Sequence, residues 1–109
     1  MNFEIIATEP FEKKIKRLSK KYASLKGDLL KVIEDLENNP TLGTPIGKDC
    51  YKIRIAISSK GKGKSGGARM ITFVRIVNHR IYLLDIYDKP EQPTISDFQL
   101  QNLIELLVP

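Results

Sequence analysis

Three lysines occupy every second position of a glycine-rich stretch, Lys60-Gly61-Lys62-Gly63-Lys64-Ser65-Gly66-Gly67, and Arg69 follows closely. Ammonium groups on a backbone that glycine leaves free to bend can wrap phosphate oxygens, and a planar guanidinium beside them can take two such oxygens at once. Further along, Tyr87 and Lys89 end a strand-like run, offering a phenol that can stack or donate a proton and an ammonium two residues away. Taken singly, each feature has an ordinary reading: a solvated hairpin connection, a salt-bridged residue at a strand edge, a strand end with a snorkelling lysine. Taken together, they place phosphate binders and proton donors at neighbouring strand ends.

Gly63-Lys64-Ser65 invites comparison with the phosphate loop of nucleotide-binding proteins. That loop needs a glycine five residues before Gly63 and a helix after the serine. Here Ser58 stands at the first position, and Arg69 to Val74 is strand-like, so a triphosphate cradle is not expected.

The charge distribution supports a polyanionic partner. The 109 residues carry a net +5 with a pI near 9.4, but from Lys48 to Lys89 ten Lys and Arg face only Asp49, Asp85 and Asp88, a local balance of +7. The segment before Lys48 is nearly neutral, and the one after Lys89 is purely acidic. Such concentration is the footprint that phosphates require. A single cysteine, Cys50, excludes an intramolecular disulfide and reads as a small buried side chain rather than a nucleophile. With only His79 beside it there is no Cys/His set for zinc, so neither metal nor cofactor is expected. No secretory signal and no membrane span is visible, which leads us to expect a cytoplasmic protein with no membrane partner.

Hydrophobic patterning supplies the elements that must position these residues. Phe3 to Ala7 reads as a strand, and Thr8 as the cap of a helix with Phe11, Ile15, Leu18 and Tyr22 on one face. Leu29, Val32, Ile33 and Leu36 restart the stripe, which ends at Asn38-Asn39-Pro40. Thr41 to Gly47 reads as a loop. From Tyr51 the period becomes two: Tyr51, Ile53, Ile55 and Ile57 share one face, Lys52 and Arg54 the other. Arg69 to Val77 and Arg80 to Tyr87 form a hairpin turning at Asn78-His79, with Asn78 tolerating the left-handed backbone, His79 a surface turn residue, and Arg75 pointing the same way as Arg69. Ser96 and Gln99 make a capping box for a final helix with Leu100, Leu103, Ile104 and Leu107 on its apolar face. The expectation is one α+β domain over residues 1–109.

The segments Lys52-Ile53-Arg54-Ile55, Gly63-Lys64-Ser65-Gly66-Gly67-Ala68-Arg69-Met70-Ile71 and Tyr82-Leu83-Leu84-Asp85-Ile86-Tyr87-Asp88-Lys89, behind two N-terminal helices, resemble the RelE/HigB family of toxins from bacterial type II toxin-antitoxin systems. The Gly-Lys-Ser-Gly-Gly-x-Arg stretch followed by Tyr-x-Lys looks like the HigB-type branch. The resemblance implies a microbial-ribonuclease-like fold, with a helical hairpin on a small, mainly antiparallel twisted sheet and a C-terminal helix. It implies metal-independent, ribosome-dependent cleavage of messenger RNA. A cognate antitoxin, of helix-turn-helix type, would neutralise the toxin, and operator DNA would be reached only through that antitoxin. Carried onto this chain, it makes Lys62, Lys64, Arg69, Tyr87 and Lys89 the catalytic candidates and Arg54 a phosphate contact; Lys52, Lys60 and Arg75 join as RNA-binding candidates on charge and strand position. Some relatives place an arginine where Lys89 stands, or use a histidine or acid with no counterpart here, which leaves the general base and acid open. Two rival functions make different demands: a ParE-like gyrase-inhibiting toxin would not need Arg69, Tyr87 and Lys89, and a non-catalytic nucleic-acid-binding module would need only the lysine loop.

Overall fold

The computed structural model describes residues 3–61, 63, 66–92 and 94–107. In chain order these form β1 (Glu4–Ala7), α1 (Glu9–Lys21), α2 (Leu25–Asn38), β2 (Thr44–Gly47), β3 (Cys50–Ile55), a 3-10 turn (Ser58–Lys60), β4 (Ala68–Arg75), β5 (Arg80–Asp88) and α3 (Asp97–Glu105). The strands build one sheet in the order β1-β5-β4-β3-β2, antiparallel except where β1 runs parallel to β5.

Local chemistry explains the helix boundaries. The Thr8 hydroxyl accepts from the Phe11 amide and donates to the Leu83 carbonyl at 2.8 Å, so one side chain both caps α1 and fixes its start to β5. Ser96 and Gln99 form the complete capping box of α3. No helix among the described residues is long and apolar enough to cross a membrane.

Each face of the sheet buries its own cluster. Phe11 and Leu18 of α1 and Leu25, Leu29 and Leu36 of α2 pack on Ile53, Ile55, Met70, Ile81, Leu83 and Ile86. Leu100 of α3 packs on Cys50, Ile71, Leu84 and Tyr87 on the opposite face. Each fully buried leucine contributes about 2 kcal/mol.

Three local expectations are corrected. Thr44–Gly47, read as loop, is strand β2, because its backbone pairs with β3 through a tight hairpin in which Lys48 and Asp49 both have positive φ. Ile57 lies beyond β3, although its side chain stays in the core. The β4–β5 turn spans Ile76 to His79, and its left-handed residue is His79 (φ 52°) rather than Asn78.

Candidate active site at the end of the sheet

Arg54, Arg69 and Tyr87 are the directly opposed residues of β3, β4 and β5. With neighbouring strands about 4.8 Å apart, their side chains form one row on the α3 face. A bulge makes this possible. Ile71 faces Asp85 while Thr72 faces Leu83, so Leu84 is an extra residue in β5. Before the bulge the odd residues Ile81 and Leu83 face the helices; after it the even residue Ile86 does, and Tyr87 turns to the α3 face. Uninterrupted alternation would have put the phenol under α1, away from Arg69.

The row is electrostatically tense. Arg69 is only 4% exposed and Tyr87 2%, whereas Arg54 is open to water. Burial foremost, and then the Arg54 guanidinium, push Arg69 below the usual arginine pKa, with Tyr87 opposing. Arg69 Nη1 donates to the Ala68 carbonyl at 3.2 Å. Like charges directly opposed across a ladder are unfavourable, more so where water is excluded. Among the described residues the Tyr87 hydroxyl is buried and closes no hydrogen bond, although the nearby Thr94 side chain favours its ionised form. Burial first raises the phenol's pKa, Asp85 adds to this, and Arg69 pulls the other way. The phenol therefore keeps its proton to high pH, as a proton donor must.

The other expected residues fall in different places. Lys62 and Lys64 lie outside the described residues. Lys52 sits one position along the same face of β3 from Arg54, half-buried, and both border a groove of ≈480 Å³ between β3 and α2. Lys89 is exposed just past β5, with its amide donating to the Gly67 carbonyl at 3.3 Å; since β5 ends at Asp88, strand alternation does not reach it. Arg75 is not with the others: it faces Arg80 at the far end of the ladder, about 20 Å along β4 from Arg69. Lys60 is turned inward, its ammonium 2.9 Å from Asp88 and 2.8 Å from the Gly66 carbonyl.

Sequence reasoning missed the acids beneath the site. Asp88, 1% exposed, accepts from the Tyr22 hydroxyl and the Lys60 ammonium, with Lys21 at 3.9 Å. Burial alone would raise its pKa, but the bonds from Tyr22 and Lys60 outweigh this and hold it below the usual carboxylate value. Asp85 pairs with Lys14 of α1 at 2.7 Å. The available signal was two acids inside an otherwise apolar, locally basic strand. Cys50 is buried, and loss of solvation, then Asp49, push its thiol up to about 12, so it is an inert core side chain.

Two helices on one face of this mixed five-stranded sheet and one on the other make a RelE-like fold. The free form of a doubly substituted E. coli toxin RelE matches with a TM-score of 0.66 at 14% identity, covering 99% of this chain and all of that one. The isolated E. coli RelE toxin matches at 0.53 and 18%, covering 95% and 98%, and the mutant toxin bound to an antitoxin RelB peptide at 0.54 and 18%, covering 100% and 97%. At such identities the likeness is one of fold. The sequence model of the RelE toxin of the RelE/RelB toxin-antitoxin system matches residues 11–106, and the chain belongs to that family of toxins.

Proposed function

We propose that this toxin inhibits translation by cutting messenger RNA on the ribosome without a metal, as a HigB-type member of its family, and that a cognate antitoxin of helix-turn-helix type neutralises it. The observation that carries the reading is the opposed Arg54-Arg69-Tyr87 row, with Arg69 and the phenol buried at the strand ends. RNA carries its own nucleophile in the 2′-hydroxyl, so the protein must align the attack in line, stabilise the charged phosphorane and protonate the leaving 5′-oxygen. Arg69 clamps the phosphorane, its fork fitting two oxygens, while Arg54 contacts the adjoining phosphate. Tyr87, its pKa raised, donates to the leaving oxygen, or Lys89 does so from the same end of the sheet. Lys62 or Lys64 takes the 2′ proton, a role that neighbouring cations favour by lowering a lysine's pKa.

In cells, expression of the Arg69→Ala chain is expected to leave growth and translated messages intact while the protein still binds its antitoxin. Normal cleavage of translated messages by that variant would refute the assignment.

A further inference from the structure

The glycine-lysine loop leaves the 3-10 turn at Lys60 and returns to β4 through Gly66 and Gly67, so its geometry depends on how those two ends are held. The turn is tied to α2: Asp28 accepts from the Ser58 amide at 2.8 Å and hydroxyl at 2.6 Å, and the Ser59 amide donates to Ser24 at 2.8 Å. The return is squeezed between strands, since a Cβ at Gly67 would lie 2.0 Å from the Ile55 carbonyl oxygen. What joins the two ends is the Lys60 ammonium, bonded to the Gly66 carbonyl at one side and Asp88 at the other, and lying 4.9 Å from the Tyr22 ring centroid. Asp88 follows Tyr87 directly, with its side chain on the helix side of the sheet, where Tyr22 meets it.

We propose that Asp88 is a positioning residue for cleavage: with Tyr22 it fixes the Lys60 ammonium across the base of the loop, so that the loop's ends and the Tyr87 strand end keep one relative geometry. This rests on the ribonuclease reading above and reassigns Lys60 from phosphate ligand to internal brace. A buried carboxylate with two half-buried polar partners is an expensive way to fill space that apolar side chains would fill as stably, and one use of such a pair is to fix a geometry. Lys60 is well placed for this, because its side chain is only 12% exposed and its cation is already satisfied by a carboxylate, a carbonyl and an aromatic face. A phosphate at this ammonium would compete with Asp88 and the Gly66 carbonyl.

The test is a double-mutant cycle on Lys60→Met and Asp88→Asn, with Tyr22→Phe as a milder third variant and circular dichroism to verify folding. Each is assayed for cleavage of a message on translating ribosomes, for the salt dependence of RNA binding, and for amide exchange from Gly67 to Met70 and at Lys89. The brace predicts that each charged-residue variant loses kcat by about a hundredfold, the effect of a displacement of about 1 Å at a reacting centre. It also predicts that the double variant is no worse than either single one, that the salt slope is unchanged, and that exchange is faster at the named amides. Tyr22→Phe falls between wild type and these. If Lys60 instead grips a phosphate, Lys60→Met alone lowers the salt slope by about one unit, with additive effects in the double variant, and the proposal is wrong. Unchanged exchange, or faster exchange with normal cleavage, overturns it too. A wild-type chain that cuts no message defeats the ribonuclease reading instead, and the exchange arm then still decides whether Asp88 holds the loop.

Discussion

Strand β4 carries an arginine opposed to another arginine near each of its ends, and the two ends differ in how much water reaches them. At the hairpin end Arg75 opposes Arg80, but both are exposed, and Arg80 is bonded to Glu4 at 3.2 Å. Water and a nearby carboxylate dissipate that repulsion. At the other end Arg54 opposes Arg69, which is buried and depressed in pKa. Directly opposed arginines are thus both exposed at one end of β4, whereas at the other end one of the two is buried. Burial, more than charge count, separates them.

The largest expected contrast lies between two tyrosines of β5. Tyr87→Phe should lower kcat on the order of a hundredfold with KM little changed, the scale of a lost proton donor, while Tyr82→Phe should leave turnover near wild type. With wild-type Tyr87, the high-pH fall of kcat should lie above the usual tyrosine range, the direction in which burial moves this phenol. Equal losses from both variants would erase the distinction between the two ends.

Asp88 should leave a mark on acid stability. Its folded pKa lies below its unfolded value, so its contribution is fully present above the usual carboxylate range and fades as pH falls through the folded pKa. Urea unfolding should show Asp88→Asn less stable than wild type by about 3 kcal/mol at pH 7, the scale for breaking a buried pair, and the gap should close toward pH 2. A gap that stays constant with pH would show that the carboxylate is not ionised in the folded chain.

The smallest effect has an unusual sign. Arg54→Ala should stabilise the fold by about 0.5 kcal/mol in thermal unfolding, because it removes a like-charge opposition. Arg80→Ala, which loses its Glu4 partner, should not stabilise.

Much of this fold is written locally and could be read from the chain. The Thr8 cap, the Phe11-Leu18 stripe and the Ser96-Gln99 box depend on residues within a turn or two of one another, so spacing alone reveals them. Strand β2 was hidden because Thr44, Pro45 and Gly47 are turn formers individually and become strand only through pairing with β3. The bulge was hidden because Ile81 to Tyr87 is apolar or aromatic at almost every position, leaving no alternation to show where parity changes. For the site, the sequence marked Arg69, Arg54 and Tyr87 as cations and phenol on strands, and registration then set them side by side. It could not show that Lys60 spends its charge on Asp88, since that pair joins residues far apart in the chain, nor that Arg75 ends up remote from Arg69, since facing direction says nothing of distance along a strand.

The most direct test of the central claim compares Arg69→Ala with Arg75→Ala in a reconstituted translation reaction, reading message cleavage by primer extension. The account predicts a loss on the order of a hundredfold or more for Arg69→Ala, the scale of a removed transition-state donor, and a change below about threefold for Arg75→Ala. Equal losses from the two substitutions, or a fully active Arg69→Ala, would contradict it.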